Sequence, residues 1–370
     1  MKKFIYSLFA FVLLLGMASC NEEGKLLEGT PVLSTSADIF VADGEEELVI
    51  TVKVGDVDVT EDATIYVDNN PMQGNVFTTT TAKNYKFYAS YNGKLSNTVT
   101  VTAANPALYL ELPEDTQPDK FDGFHHKVLM TQATGTWCGW CPCMIRGIEL
   151  FQESGANAAN TVVVAVHSGD ELSSEASEAT VAALKAKNFP SAYFSLNPEA
   201  LVESYTSASI NAENINAAAG MELMEEARVG ITATSATSAD KSVIAVRTAV
   251  KVGKPGSYRI NVWLVEDAIS AYQSSYWAEF TQGVIDHNHV LRAASCESPI
   301  QGESLGGKNS CRQGETFELY HEFNVAEAAI SNVANCKVVV LVTAGVNSKF
   351  YVDNVIECPV GESVPFAYSK

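Results

Sequence analysis

Trp137-Cys138-Gly139-Trp140-Cys141-Pro142 sets two thiols three residues apart, a spacing at which the sulfurs can form, break and exchange a disulfide. An apolar, strand-like run (127–131) precedes the pair and a helix-like run (144–151) follows it, so the dithiol falls at a strand-to-helix turn. There the unpaired N–H groups and positive end of the helix favour thiolate over thiol. Cys138, the first of the two and nearer the helix N-terminus and solvent, is the expected nucleophile. Cys141, one turn further in, is the expected resolving thiol. Pro142 suits the first helical turn, where a missing N–H costs little. A static disulfide or half of a zinc site would use the same residues. A zinc site usually takes a second such pair, and the chain has no other C-x-x-C. A redox-capable dithiol is the reading adopted.

The elements needed to hold that turn can be read on either side of it. After the motif helix, Thr161-Val162-Val163-Val164-Ala165-Val166 is a continuous β-branched run suited to a strand buried on both faces. A helix over 175–187, a strand over 189–194 opened by Pro190, and a helix over 211–228 follow. This alternation predicts a sheet with helices on its faces over 104–228. Residues 30–103 read as an all-β module of short alternating runs, with Asn92-Gly93 as a two-residue hairpin turn. Residues 229–370 return to strands at a spacing that suggests a sandwich. Residues 114–122, rich in acids and prolines, read as a linker or entry loop. The expected fold class is therefore α/β plus all-β.

The motif turn resembles the active site of the thioredoxin superfamily, and Phe189-Pro190-Ser191 lies where that family carries its cis-proline loop. The resemblance implies a cis Pro190, and a substrate-binding surface formed by Trp137, Trp140, Phe189 and Pro190. It also marks departures. Many thioredoxins carry a buried acid six residues before the first cysteine, and here that position is Gln132, which cannot transfer a proton. Gly139-Trp140 has neither the proline of strong reductants nor the histidine of strong oxidants, so direction stays open. The stretch 55–65 resembles bacterial Ig-like spacer domains. The lipoprotein signal, the motif with Thr134-Gly135-Thr136 before it, and His287-Asn288-His289-Val290-Leu291-Arg292 together resemble the Omp28-related outer membrane lipoproteins of Bacteroidetes. That likeness covers about 124–370. It implies a thioredoxin-like domain between an N-terminal Ig-like β-sandwich and a C-terminal β-sandwich.

Address and charge agree with an exported protein. Lys2 and Lys3, an apolar run and Ala18-Ser19-Cys20 form a signal segment over 1–19 with a lipobox-like end, making Cys20 the expected lipidation site. Residues 20–29 then form a linker, and Asn21-Glu22-Glu23 looks like a surface-export signal. The expected location is the outer membrane, facing the periplasm or the cell surface. Removing 1–19 takes two lysines and no acids, so the net charge of −20 becomes 22 − 44 = −22. That argues against a nucleic-acid partner, which demands a basic patch. The expected partners are thiols or disulfides of exported proteins. The rival is a non-enzymatic surface scaffold using the same fold.

Eight cysteines suit an oxidising compartment. Cys336 and Cys358 are symmetric about Asn347, which in a hairpin would place them opposite one another as a disulfide. Cys296–Cys311 follows by elimination. Cys143 reads as a buried structural thiol, with a third redox thiol as the alternative. His287 and His289 would share one strand face, but no completing ligand cluster stands near, and neither metal nor cofactor is expected. Tyr272, Tyr276, Trp277 and Phe280 have rough helical spacing and read as a packed face.

Overall fold

The structure, a computed structural model, describes residues 27–369. The expected signal segment 1–19 and the expected lipidation site Cys20 lie outside the described residues. The chain is mostly β, with three α-helices among the described residues.

At the N-terminal end two antiparallel-dominated sheets share one core. Leu33, Ile50 and Val52 come from one sheet, and Phe40, Phe87 and Val101 from the other. The hairpin at Asn92-Gly93 forms as expected, with both residues at positive φ, the backbone that a two-residue turn needs to match strand twist. Residues 114–122 are pinned rather than loose. The buried Lys251 ammonium donates to Asp115 Oδ2 (2.7 Å) and to the carbonyls of Gln117 and Pro118.

The main body is built on β1 (Val128–Thr134), α1 (Cys141–Ser154), β2 (Thr161–His167), α2 (Glu175–Leu184), β3 (Ser191–Phe194), β4 (Leu201–Glu203) and α3 (Ala208–Glu222). It continues with β5 (Tyr258–Glu266), β6 (Ile269–Gln273), β7 (Gly283–His287), β8 (Val290–Ala294), β9 (Cys336–Val346) and β10 (Lys349–Pro359). One sheet runs β4-β3-β1-β2-β8-β5-β9-β10. β1 and β2 are parallel over seven residue pairs, and β2 meets β8 in parallel at Ala165 and Val290. The sheet therefore passes without a break from the α/β segment into the C-terminal strands.

Burial on both faces explains the apolar runs. α2 covers one face, where Leu129, Val164, Val166, Trp263 and Leu341 pack with Val181 and Leu184. On the opposite face α1 and α3 cover β1–β3 through Met130, Met144, Phe151 and Ile215. Beside them a four-stranded sheet (Val229–Thr237, Val243–Val252, Thr316–Asn324, Ser363–Val364) covers β5 and β9. α3 ends at Glu222, short of the expected 228. Glu225 and Glu226 would set negative charge at the negative end of the helix.

The expected disulfides outside the motif do not form, because Cys296, Cys311, Cys336 and Cys358 are all free. The β9–β10 register shifts between Val342 and Thr343, so Cys358 lies opposite Val338 rather than Cys336. The turn already pairs Val346 with Lys349, which centres the hairpin beyond Asn347, and a bulge at Asp353 adds one more residue. Together they leave the two cysteines as diagonal neighbours, ~7–8 Å apart and beyond disulfide reach. Cys311 bridges to Gly256, while Ser295 bonds to Val262. Cys296 is thereby held roughly 16 Å further along β5, at about 3.3 Å per residue.

Candidate dithiol site and the strap that covers it

β1 delivers the chain to a turn at its carboxyl end, and α1 starts at Cys141. Cys138 and Cys141 are joined by a disulfide, with 5.4 Å between their Cα atoms. Trp137 and Trp140 flank it, each about half exposed at 50% and 45%. The Trp137 indole N–H donates to the Ser168 carbonyl (2.8 Å), and its ring lies 5.4 Å from that of Phe189. The Phe189–Pro190 peptide is cis. Trp140, Phe189 and Pro190 line a groove of about 680 Å³ with Tyr193, Leu201 and Tyr205. The four residues expected to contact a substrate are thus brought to one side of the disulfide.

Both sulfur-bearing residues are buried: Cys138 is 4% exposed and Cys141 0%. This corrects the expectation of a solvent-facing first cysteine. The cover is a strap, residues 273–277, leading out of β6. Gln273 Nε2 donates to the carbonyls of Cys138 (3.0 Å), Thr136 (3.3 Å) and Gly135 (3.4 Å). The Ser274 N–H donates to Thr136 O (2.8 Å) and the Tyr276 N–H to Gly139 O (2.7 Å). The Tyr276 ring lies where a Cβ on Gly139 would be, and 6.2 Å from Trp140. The aromatic cluster around Tyr276 is therefore not a helix face. Tyr272 is exposed on β6, and the remaining three lie in the connection from β6 to β7.

Beneath the turn is a buried polar layer that no motif announced. Asp170 Oδ2 accepts from His167 Nδ1 (2.8 Å) and from the Thr136 N–H (2.7 Å). Its other oxygen accepts from the Leu172 N–H and the Ser173 hydroxyl. Burial opposes ionisation of Asp170, but the His167 contact and the two amides outweigh it and hold the carboxyl at about 2. The His287 ring packs edge-on to His167, at 5.2 Å between centroids. Burial, followed by His167 when that ring is protonated, pushes His287 down to about 4. The one sequence signal was His167-Ser168-Gly169-Asp170 at the carboxyl end of a parallel strand, where α/β sheets place their ligands.

His287 and His289 do not share a strand face. His287 ends β7, whereas His289 sits in the following turn at φ 62°. There its Nδ1 meets the Lys337 ammonium at 3.0 Å and its Nε2 lies 3.2 Å from Gln152 Nε2. Cys143 is a buried thiol that donates to Tyr205 O (3.2 Å), and burial pushes its pKa up.

The family described as Outer membrane protein Omp28 matches residues 177–364, and the chain belongs to that family of the outer membrane. Among solved structures, HBP35 of Porphyromonas gingivalis is 16% identical over 67% of this chain and 80% of its own, with a TM-score of 0.52. A domain of the outer membrane lipoprotein Omp28 from the same organism is 18% identical over 38% of this chain and 92% of its own, at a TM-score of 0.24. No curated protein matches. The family match contains the strap and His287 but begins after the cysteine pair.

Proposed function

We propose that this is a lipid-anchored outer membrane protein that exchanges thiols and disulfides with exported proteins. In this reading 104–228 is a thioredoxin-like unit between an Ig-like stalk (30–103) and a C-terminal β-sandwich (229–370). Cys20 carries the acyl anchor.

The observation that carries the reading is the Cys138–Cys141 disulfide at a strand-to-helix turn beside an aromatic groove. A substrate thiolate attacks Cys138 Sγ, the intramolecular S–S bond breaks, and Cys141 leaves as a thiolate that takes up a proton. A second substrate thiolate then attacks the substrate sulfur of the mixed disulfide. A substrate disulfide forms and Cys138 leaves as a thiolate. Two electrons pass from substrate to protein, and the reverse sequence from the dithiol reduces a substrate disulfide. Trp140, Phe189 and Pro190 offer the apolar surface that orients an extended chain during either transfer. The strap must lift from Gly139 for the mixed disulfide to form.

The burial of both cysteines favours a second reading, a surface scaffold whose disulfide is a structural staple. Insulin reduction driven by dithiothreitol, with Cys138→Ser and Cys141→Ser compared, separates the two. Exchange predicts turnover lost in Cys138→Ser and a trapped mixed disulfide in Cys141→Ser. Turnover indifferent to both substitutions, or none at any redox poise, favours the scaffold.

A further inference from the structure

The polar layer under the turn has the parts that a dithiol needs and that Gln132 lacks. Met130 faces α1, and by strand alternation so do Gln132 and Thr134. His167 pairs with Thr134 across β1 and β2, and its side chain enters the same layer, between sheet and α1, in which Cys141 is buried. Two bonds lace the loop after β2 to the turn: Thr136 N–H to Asp170, and Trp137 Nε1–H to Ser168 O. Four buried polar atoms of β1, the strap and β7 have no partner: Gln132 Nε2, Thr134 Oγ1, Gln273 Oε1 and His287 Nε2. Each such group costs ~1–3 kcal/mol, so a layer that holds several of them calls for a cause. Opening the disulfide supplies one, since a thiol or thiolate gives this layer the donors and acceptors it lacks.

Resting on the exchange reading, we propose that the Asp170–His167 dyad, flanked by His287, is the proton acceptor and donor of the Cys138–Cys141 pair. Asp170, fixed as a carboxylate, holds His167 with its proton on Nδ1 and its Nε2 lone pair free. In the reductive direction, with Cys138 joined to the substrate in the mixed disulfide, the Cys141 thiol gives its proton to that imidazole and its thiolate attacks Cys138 Sγ. The Cys138–Cys141 bond forms, the bond to the substrate sulfur breaks, and the substrate leaves as a thiolate. In the oxidative direction the imidazolium returns the proton to the departing Cys141. The charged or titratable groups around His167 are Asp170 on its own loop, and His287 and Asp286 on β7. Glu178 of α2 reaches the same loop, holding Ser168 and Gly169. His167 is a positioning and proton-transfer residue, distinct from the sulfurs that touch substrate.

The test uses the full chain, reduced, with thiolate followed by its absorbance at 240 nm against pH. His167→Gln keeps an N–H donor for Asp170 but cannot take up a proton. It should lower the thiolate fraction at pH 7 about tenfold, equivalent to one pKa unit, and Asp170→Asn should act in the same direction. Thermal melting of the oxidised His167→Gln variant reports whether the fold is kept. An unchanged thiolate curve in a folded His167→Gln variant overturns the proposal. If the variant does not fold, wild-type protein decides: coupling is reciprocal, so the imidazole NMR titration of His167 must differ between oxidised and reduced chains. Identical titrations overturn it. Coupling without insulin turnover would sink the exchange reading alone, and turnover without coupling would sink this proposal alone.

Discussion

The Tyr276 N–H donates to the Gly139 carbonyl at 2.7 Å, laying a phenol ring over one of the two residues between the cysteines. The pair is therefore closed by part of the family-matched region, not by its own α/β segment. Opening the strap costs the ring contact and the backbone bonds. Truncating the ring removes only the first. An aromatic contact of this kind is worth ~0.5–1.5 kcal/mol. Tyr276→Ala should speed dithiothreitol reduction of the disulfide about threefold to tenfold, followed by mass spectrometry of quenched, alkylated protein. An unchanged rate would show that the strap does not gate the sulfurs.

The groove predicts a split between large and small substrates. Trp140 is 45% exposed beside Phe189 and Pro190. Trp140→Ala should lower kcat/KM for a protein disulfide about tenfold, the ~1–1.5 kcal/mol of a lost aromatic anchor. Reduction of a small disulfide such as oxidised glutathione should change little. Equal losses on both would place Trp140 in support of the turn rather than in recognition.

The cysteine census is checked by alkylating the unfolded, unreduced chain. Cys143, Cys296, Cys311, Cys336 and Cys358 should label, and Cys138 and Cys141 should not. Burial raises the Cys336 thiol to about 12, so the native chain should leave it unlabelled at neutral pH. Cys358→Ala should cost roughly 1–2 kcal/mol in urea unfolding, as a small core truncation. A loss comparable to removing a cross-link would contradict the register.

Asp353, the bulge residue, accepts from the Arg228 and Val229 amides while almost fully buried. Burial, resisted by those amides and the Arg228 charge, raises its carboxyl to about 6. A raised acid binds more protons folded than unfolded between about 4 and 6, so its contribution to stability falls as pH rises through that window. Asp353→Asn should remove that fall. The stability difference between variant and wild type should move by up to ~3 kcal/mol in the variant's favour from pH 4 to pH 7. A pH-independent difference would contradict the burial.

Much of the site was legible because its signals are local. The cysteine spacing, the β-branched run of β2 and the proline before β3 each fix one element from neighbouring residues. What escaped depends on distant partners. The parallel contact of Ala165 with Val290 joins two segments that read as separate domains. The pairing of Val346 with Lys349 moved the hairpin centre off Asn347, and the bulge at Asp353 moved the register again, so a disulfide inferred from symmetry about Asn347 does not form. The aromatic strap mimicked helical spacing, yet its backbone bonds go to the motif turn, where nothing nearby in sequence could reveal them. Gln132 pointed to a missing proton acceptor, and its replacement sits one strand away, at His167.

Iodoacetamide labelling of Cys138 at neutral pH, after mild dithiothreitol treatment, tests the central claim most directly. Exchange requires Cys138 to label faster than every other thiol of the folded chain, with Cys141 lagging, and faster still in Tyr276→Ala. A Cys138 that stays unlabelled in the reduced, folded protein, with the strap intact or weakened, would contradict the account.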